Sequence, residues 1–148
     1  MFGGRKIFIA MNVFVDTNIL VDFLCKREPF VSDAAKIFQL GYDGRINIQI
    51  CALSYVNALY ICRKYGFKDS NVVAALNKIN LFCEVTSVGS VEINKALSSS
   101  YADYEDMVQS LSAASASASV IVTRDKQGFK SSIVKACTPK EFLKNIKL

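Results

Sequence analysis

Apolar positions fall along the chain in short continuous runs, separated by longer amphipathic segments. Residues 13–15 and 120–122 are apolar at every position, which is typical of strands buried on both faces. Between such runs, apolar residues recur at three- and four-residue spacing, as in helices with one buried face. Strands that alternate with helices pair in parallel. The pattern therefore predicts a three-layer α/β/α domain with an open, mostly parallel central sheet.

The same pattern predicts the order of the elements. Strands are predicted at residues 13–15, 46–50, 82–85, 120–122 and 133–137. Helices are predicted at 17–25, from Ser32 or Asp33 to near Gly41, at 54–65, after Asp69 or Ser70, at 91–97, from Asp103 to about Ala116, and from Thr138 onward. In the second predicted strand, Ile46, Ile48 and Ile50 alternate with polar residues. In parallel sheets of this kind, ligands bind at the carboxyl ends of the strands.

The chain shows no linker or internal repeat, and we predict a single domain over residues 11–148. Residues 1–10 are predicted to be an N-terminal extension that can be disordered. This extension superficially resembles a signal peptide, but no small-residue cleavage site follows it, and no apolar run is long enough to cross a membrane. The five cysteines are scattered and form no CxxC pair. They favour reduced, buried thiols over a zinc site, and the sequence therefore predicts a cytoplasmic protein.

Composition narrows the chemistry that the chain can perform. It contains no histidine, which excludes Ser-His-Asp and Cys-His catalysis and His-containing zinc sites. Hydrolysis would therefore depend on carboxylates, a metal ion or a Lys/Ser pair. The net charge of +5 weakly favours an anionic partner such as nucleic acid.

Carboxylates follow two of the predicted buried strands. Asp16 directly follows the first, and Asp125 follows the fourth after two residues. A third acidic group lies where the helix before the fourth strand begins, at Asp103, Glu105 and Asp106. Such a helix starts at the same sheet edge, so the three groups are predicted to converge and to repel one another. Hard oxygen ligands suit Mg²⁺ or Mn²⁺, which can support phosphodiester hydrolysis.

Each acidic group alone also has an ordinary structural explanation. Asp16 and Asp125 suit the loops that follow strands. Helix capping and the helix dipole favour Asp103, Glu105 and Asp106 at any helix start. Their equivalent positions at one edge of the predicted sheet favour a shared site.

Three motifs around these carboxylates resemble the PIN domain family. The run VFVDTN, which ends at Asn18, is similar to the opening motif of the family. The run VIVTRD, which ends at Asp125, is similar to the strand and loop that carry its fourth acidic residue. The run DYED, which ends at Asp106, resembles the third acidic position. The resemblance extends over residues 12–143 and implies a parallel sheet with helices on both faces.

The resemblance also implies a metal-dependent ribonuclease site. Its metal-binding carboxylates would be Asp16, Asp106 and Asp125. The supporting residues would be Thr17, Asn18, Asp103, Glu105, Thr123 and Arg124. For Arg124, a phosphate contact and an ordinary surface position are both open.

One position departs from the pattern of the family. The run ALSYVN ends at Asn57, where the second acidic residue of the family is usually Glu. Asn57 supplies a neutral oxygen, which lowers the expected metal affinity, although Glu105 or Asp103 could compensate. The departure leaves open a catalytically weak or inactive PIN-like module that binds RNA or a protein partner. A different phosphotransfer domain is a third interpretation, but the sequence lacks a Gly-rich phosphate loop.

The resemblance has consequences for partners as well. Small single-domain members of the family are similar to the toxins of bacterial toxin–antitoxin pairs. It therefore implies an RNA substrate, an antitoxin protein and a homodimer. Aromatic residues that fit a dimer surface, but fit the core better, are Phe30, Phe38, Tyr55 and Tyr60.

Overall fold

The computed structural model describes residues 10–99 and 103–146. Five strands form a sheet: β1 (Met11–Val15), β2 (Ile46–Cys51), β3 (Cys83–Thr86), β4 (Val120–Val122) and β5 (Ala136–Cys137). Their order is β3-β2-β1-β4-β5, and every neighbouring pair is parallel. In the centre of the sheet, Phe14 lies opposite Gln49 on one side and Ile121 on the other. The predicted parallel sheet is therefore confirmed.

Helices cover both faces of this sheet. They are α1 (Thr17–Leu24), α2 (Val31–Tyr42), α3 (Ala52–Lys64), α4 (Asp69–Asn80), α5 (Ser90–Leu97), α6 (Tyr104–Ser115) and α7 (Pro139–Asn145), with a 3₁₀ helix at Lys126–Phe129. Val13 and Val15 pack in a core with α1 to α4 and α7, whereas Phe14 packs on the opposite side with α6 and the 3₁₀ helix. Alternate side chains of one strand thus enter two separate apolar layers. This arrangement confirms the predicted three-layer α/β/α architecture.

Local capping chemistry accounts for two helix starts. Asp103 caps α6 as predicted, because its Oδ1 accepts a hydrogen bond from the backbone N–H of Asp106 at 3.1 Å. At α7, the Thr138 hydroxyl and the Glu141 carboxylate each accept from the backbone N–H of the other residue. These reciprocal bonds form a capping box, with Pro139 in the first turn.

Two other predicted caps were wrong. Helix α2 begins at Val31, before Ser32 and Asp33, and its flanking residue makes no side-chain cap. Helix α4 begins at Asp69 itself, whose carboxylate pairs with Arg63 of α3. In both cases, tertiary packing of an amphipathic face fixes the helix without the predicted cap.

One strand prediction also needs correction. The last strand is confined to Ala136–Cys137, because the chain bends at residues 133–134, where Ile133 is 88% exposed. In β2, the polar residue Gln49 is 1% exposed. Helices cover this side of the sheet too, and the Gln49 amide donates to Glu84 Oε2 and to the Ala116 carbonyl. The Gln49 side chain is thus held through its amide nitrogen, while its Oε1 has no hydrogen-bond partner among the described residues.

The N-terminal extension predicted at residues 1–10 lies, apart from Ala10, outside the described residues. The described helices include none with the length and apolar content needed to span a bilayer. None of the five cysteines forms a disulfide.

Candidate functional site

Asp16 lies at the carboxyl end of β1, where the chain leaves the sheet. Its backbone N–H still donates to the Val122 carbonyl of β4 at 3.0 Å, which fixes the residue at the junction of the two strands. The side chain is 3% exposed. Thr123 Oγ1 donates to Asp16 Oδ2 at 2.9 Å, and Gln109 Nε2 donates to Oδ1 at 3.0 Å. Each carboxylate oxygen therefore has one neutral donor.

Gln109 is a positioning residue that the sequence analysis missed. It is 1% exposed and lies one turn beyond Asp106 in α6. Its Oε1 accepts from the backbone N–H of Thr17 at 3.3 Å while its Nε2 holds Asp16. One amide thus connects α6 to the first turn of α1. The only sequence signal was its three-residue spacing from Asp106, which places both residues on one helix face.

The acidic start of α6 faces this same edge. Burial raises the pKa of Asp106 to about 7, and repulsion from Asp16 and Asp103 adds to the effect. Burial, followed by repulsion from Asp16 and Asp103, also raises the pKa of Glu105. Burial likewise raises the pKa of Asp16, although its hydrogen bonds with Thr123 and Gln109 oppose this rise. The carboxylates of Asp16, Glu105 and Asp106 are thus near enough to one another for repulsion to affect their pKa values.

Asp125 lies in the exposed turn after β4. Its backbone N–H donates to Thr123 Oγ1 at 3.0 Å, so one hydroxyl contacts both Asp125 and Asp16. The 3₁₀ helix that follows brings Gly128 against the acidic residues. A Cβ on Gly128 would overlap Asp106 Oδ2 and would lie 3.5 Å from Asp125 Oδ2. Gly128, which the sequence analysis also missed, therefore permits a close approach that a side chain would block.

The second family position lies at the start of α3. Asn57 Nδ2 donates to Glu105 Oε1 at 3.5 Å, so the amide that replaces the usual acid faces an acidic residue of α6. Nearby, Thr17 Oγ1 and Ser54 Oγ lie 2.6 Å apart. This buried pair joins the starts of α1 and α3 at the carboxyl ends of β1 and β2.

Two of the supporting residues predicted from the resemblance make contacts other than the expected ones. Arg124 donates from Nε and Nη2 to the carboxylate of Asp22, and its guanidinium lies 3.8 Å from the centre of the Phe30 ring. Asn18 is exposed, and its carbonyl accepts from Arg27 Nη2. The phosphate contact of Arg124 stays a prediction, because in this conformation Asp22 occupies its guanidinium.

The acidic residues do not form a ready-made cage. Across residues 10–99 and 103–146, no three acidic or cysteine side chains are grouped closely enough to hold a metal ion. The donor set nevertheless fits Mg²⁺ or Mn²⁺ chemically, since Asp16, Asp106 and Asp125 supply hard oxygens and an excess of negative charge. The raised pKa of Asp106 is the expected result of placing such groups together without a cation.

Comparison with known families identifies the domain. A family model described as the PIN domain matches residues 12–127. The chain belongs to the PIN domain family. Among curated protein sequences, no significant match was found.

Solved structures that resemble this PIN domain share its fold at low sequence identity. VapBC2 from Rickettsia felis, bound to a promoter DNA fragment, has a TM-score of 0.63 and 16% identity over 86% of this chain and 98% of that chain. A toxin–antitoxin complex from Klebsiella pneumoniae has a TM-score of 0.61 and 20% identity over 86% and 97%. FitAcB from Neisseria gonorrhoeae has a TM-score of 0.57 and 13% identity over 86% and 98%. At these identities, the similarity establishes the fold.

Proposed function

We propose that this PIN domain is a Mg²⁺- or Mn²⁺-dependent RNA endonuclease that acts in the cytoplasm. Membership of the PIN domain family supports a nuclease. The observation that carries the proposal is the unneutralised charge at the sheet edge. Among the described ion pairs, none involves Asp16 or Asp106. A cation from outside the chain would relieve that repulsion.

The chain's own residues divide into ligands and residues that orient them. Asp16, Asp106 and Asp125 would hold the ion, which when bound polarises water and stabilises charge on a phosphodiester. Thr123 and Gln109 hold the two oxygens of Asp16 in fixed directions. These neutral donors orient the carboxylate and leave its charge available to a cation.

The supporting residues from the resemblance extend this arrangement. Thr17 links the first turn of α1 to Gln109 and to Ser54, and Asp103 fixes the first turn of α6. The Asn57 amide donates a hydrogen bond to the Glu105 carboxylate. Their contact supports the interpretation that Glu105 compensates for the neutral Asn57.

The partners proposed are an antitoxin protein and a second copy of this chain. The similar structures include a toxin–antitoxin complex and VapBC2 bound to a promoter DNA fragment. Exposed apolar side chains on α3, Val56 and Tyr60, are available for such contacts, whereas Phe38 is buried in the core as the sequence analysis favoured. Phe30 is partly covered by Arg124.

The decisive experiment is cleavage of a mixed, labelled RNA pool by the purified protein. It should be run in Mn²⁺, in Mg²⁺ and in EDTA, beside Asp106→Asn. We expect cleavage that requires metal and falls at least a hundredfold in the variant, because one ligand and its charge are lost. Arg63→Gln, at an exposed ion pair on α3, is the control and should cleave like the wild type. Equal cleavage by wild type and Asp106→Asn would contradict the proposal.

The second candidate is a catalytically weak or inactive module that binds RNA or a protein partner. Asn57 favours it, because the neutral amide removes one charge from the expected ligand set. RNA binding by gel shift without cleavage, in every metal, would support this candidate. Restoration of cleavage by Asn57→Glu would return the assignment to a nuclease.

A further inference from the structure

Two cysteine sulfurs lie in contact between α1 and α3. Cys25 directly follows α1 and Cys62 lies in the last turns of α3. Their Sγ atoms are 3.1 Å apart, with the Cys25 thiol donating. A disulfide needs about 2.05 Å between sulfurs, so about 1 Å of closure would join them. Cys25 is partly exposed, whereas Cys62 is buried.

The helices that carry these thiols are already joined at their other ends. Thr17 and Ser54 share a hydrogen bond at the starts of α1 and α3. Eight residues further along each helix lie Cys25 and Cys62, a rise of about 12 Å. The two helices therefore run side by side between a hydroxyl pair and a thiol pair. A link between the sulfurs would not require either helix to change direction.

The remaining three cysteines lack this arrangement. Cys51 and Cys83 are buried and Cys137 is partly exposed, and among the described contacts no second sulfur bonds to any of them. Burial, together with the Cys25 contact, raises the pKa of Cys62 to about 12, so Cys62 remains a thiol at neutral pH. The more exposed Cys25 is then the first of the pair to meet an oxidant.

From this geometry, we infer that Cys25 and Cys62 are a site of reversible oxidation, at which a peroxide converts the thiol pair to an intramolecular disulfide. The peroxide oxidises the Cys25 thiolate to a sulfenic acid and is itself reduced, releasing hydroxide or alkoxide. The Cys62 sulfur then displaces the sulfenic oxygen, which leaves as water as the S–S bond forms. The two thiols lose two electrons and two protons, which the peroxide accepts. A dithiol reductant reverses the reaction.

The disulfide would join the carboxyl ends of α1 and α3, whereas Asp16 precedes the opposite end of α1. It is therefore expected to stabilise the packing of the two helices and to leave metal binding unchanged. The inference is independent of the proposed nuclease activity, because it concerns only the thiols and the fold.

The test is a count of free thiols after oxidation. Purified protein is treated with hydrogen peroxide and alkylated with N-ethylmaleimide in denaturant. The mass of the intact chain is then measured by mass spectrometry. We expect two of the five thiols to be protected, with full recovery after dithiothreitol. Peptide mapping of the wild type should join the Cys25 and Cys62 peptides within one monomer. Alkylation of all five thiols, or a link through another cysteine, would overturn the inference.

Variants and thermal unfolding provide a second readout. The oxidised wild type should unfold roughly 5 °C above the reduced protein. Cys25→Ser and Cys62→Ser should lose both the protection and the shift. Cys137→Ser, at a cysteine of similar exposure without a sulfur neighbour, should keep both. If Cys62→Ser fails to fold, the peptide map of the wild type still shows which two cysteines are joined. Protection of two thiols in Cys25→Ser would contradict the inferred pair.

Discussion

Helix α1 connects two carboxylates whose surroundings are opposite in kind. Asp22 is 0% exposed and accepts from Arg27 Nε at 2.7 Å and from Arg124 Nε at 2.8 Å. Asp16, six residues earlier, is 3% exposed, and the side chains that donate to it, Thr123 and Gln109, are neutral. The fold thus pairs one buried carboxylate with two cations and leaves the other without a cation, among acidic neighbours that share its raised pKa.

The difference separates a complete ion cluster from a group of carboxylates without a cation. A buried carboxylate between two guanidinium groups is electrostatically complete and has no need of a ligand. A buried carboxylate beside Asp106 and Glu105 is incomplete, and burial and repulsion raise the pKa values of all three groups. A paired and an unpaired buried carboxylate therefore lie six residues apart, at the start of α1 and within it.

The largest expected effect on stability comes from removing the charge of Asp22, which pairs with Arg27 and Arg124. Asp22→Asn should lower the free energy of unfolding by about 3 kcal/mol, because it leaves Arg27 and Arg124 without their shared buried partner. Urea denaturation measures the change. Asp69→Asn, at the exposed ion pair with Arg63, is the control and should cost less than about 0.5 kcal/mol. A similar small cost for both variants would show that the two buried carboxylates do not differ as described.

Replacement of Asp106 is expected to raise the free energy of unfolding of the metal-free protein, whereas replacement of Asp22 lowers it. The folded-state pKa of Asp106 is about 7, above its ordinary value of 3.8, so the folded protein binds this proton more tightly than the unfolded chain. Without metal, Asp106 therefore costs stability in full above pH 7, and the cost declines as the pH falls from 7 toward 4. Asp106→Asn should stabilise the metal-free protein by about 1 to 2 kcal/mol at pH 8, after allowance for solvent screening.

This second prediction is measured by urea denaturation in EDTA at pH 8 and pH 5. The stability gained by Asp106→Asn should be smaller at pH 5 than at pH 8. Asp103→Asn preserves the helix cap, since Asn and Asp cap equally well, and should change stability less. Added Mn²⁺ should stabilise the wild type more than Asp106→Asn. A destabilised Asp106→Asn protein at pH 8 would mean that this carboxylate is a structural group like Asp22.

The smallest expected effect is on Mn²⁺ affinity and concerns Asn57. Asn57→Glu adds one negative charge beside Glu105, whose oxygen now accepts from the Asn57 amide. Mn²⁺ binding should tighten by about 1 kcal/mol, or roughly fivefold in Kd, as calorimetry can measure. Asn77→Glu, at an exposed position on α4, controls for the change in net charge. Unchanged Mn²⁺ affinity would place Asn57 outside the metal site.

Local chemistry made much of this fold predictable. The apolar runs of β1 and β4, the cap at Asp103 and the box at Thr138 depend on neighbouring residues, so the sequence carries them directly. The placement of Asp16 at the carboxyl end of a strand followed from the same patterns. The carboxylates at the sheet edge could therefore be chosen before any coordinates.

Contacts between distant residues were not predictable in this way. Gln109 meets Asp16 across 93 positions, and Arg124 meets Asp22 across 102. Nothing beside Gln109 distinguishes it from a surface glutamine, and an arginine next to Asp125 fits a phosphate ligand as well as a buried ion pair. Gly128 carried no signal either, because its small size matters only where the backbone passes Asp106.

The position of β1 between β2 and β4 bears on when the acidic site can exist during protein synthesis. Thr123, which orients Asp16, follows it by 107 positions, and β4 pairs with β1 only after most of the chain has left the ribosome. The nascent chain therefore presents Asp16 for most of its synthesis without the donors that orient it. A translation product truncated before Gln109 would contain the first carboxylate and lack the site.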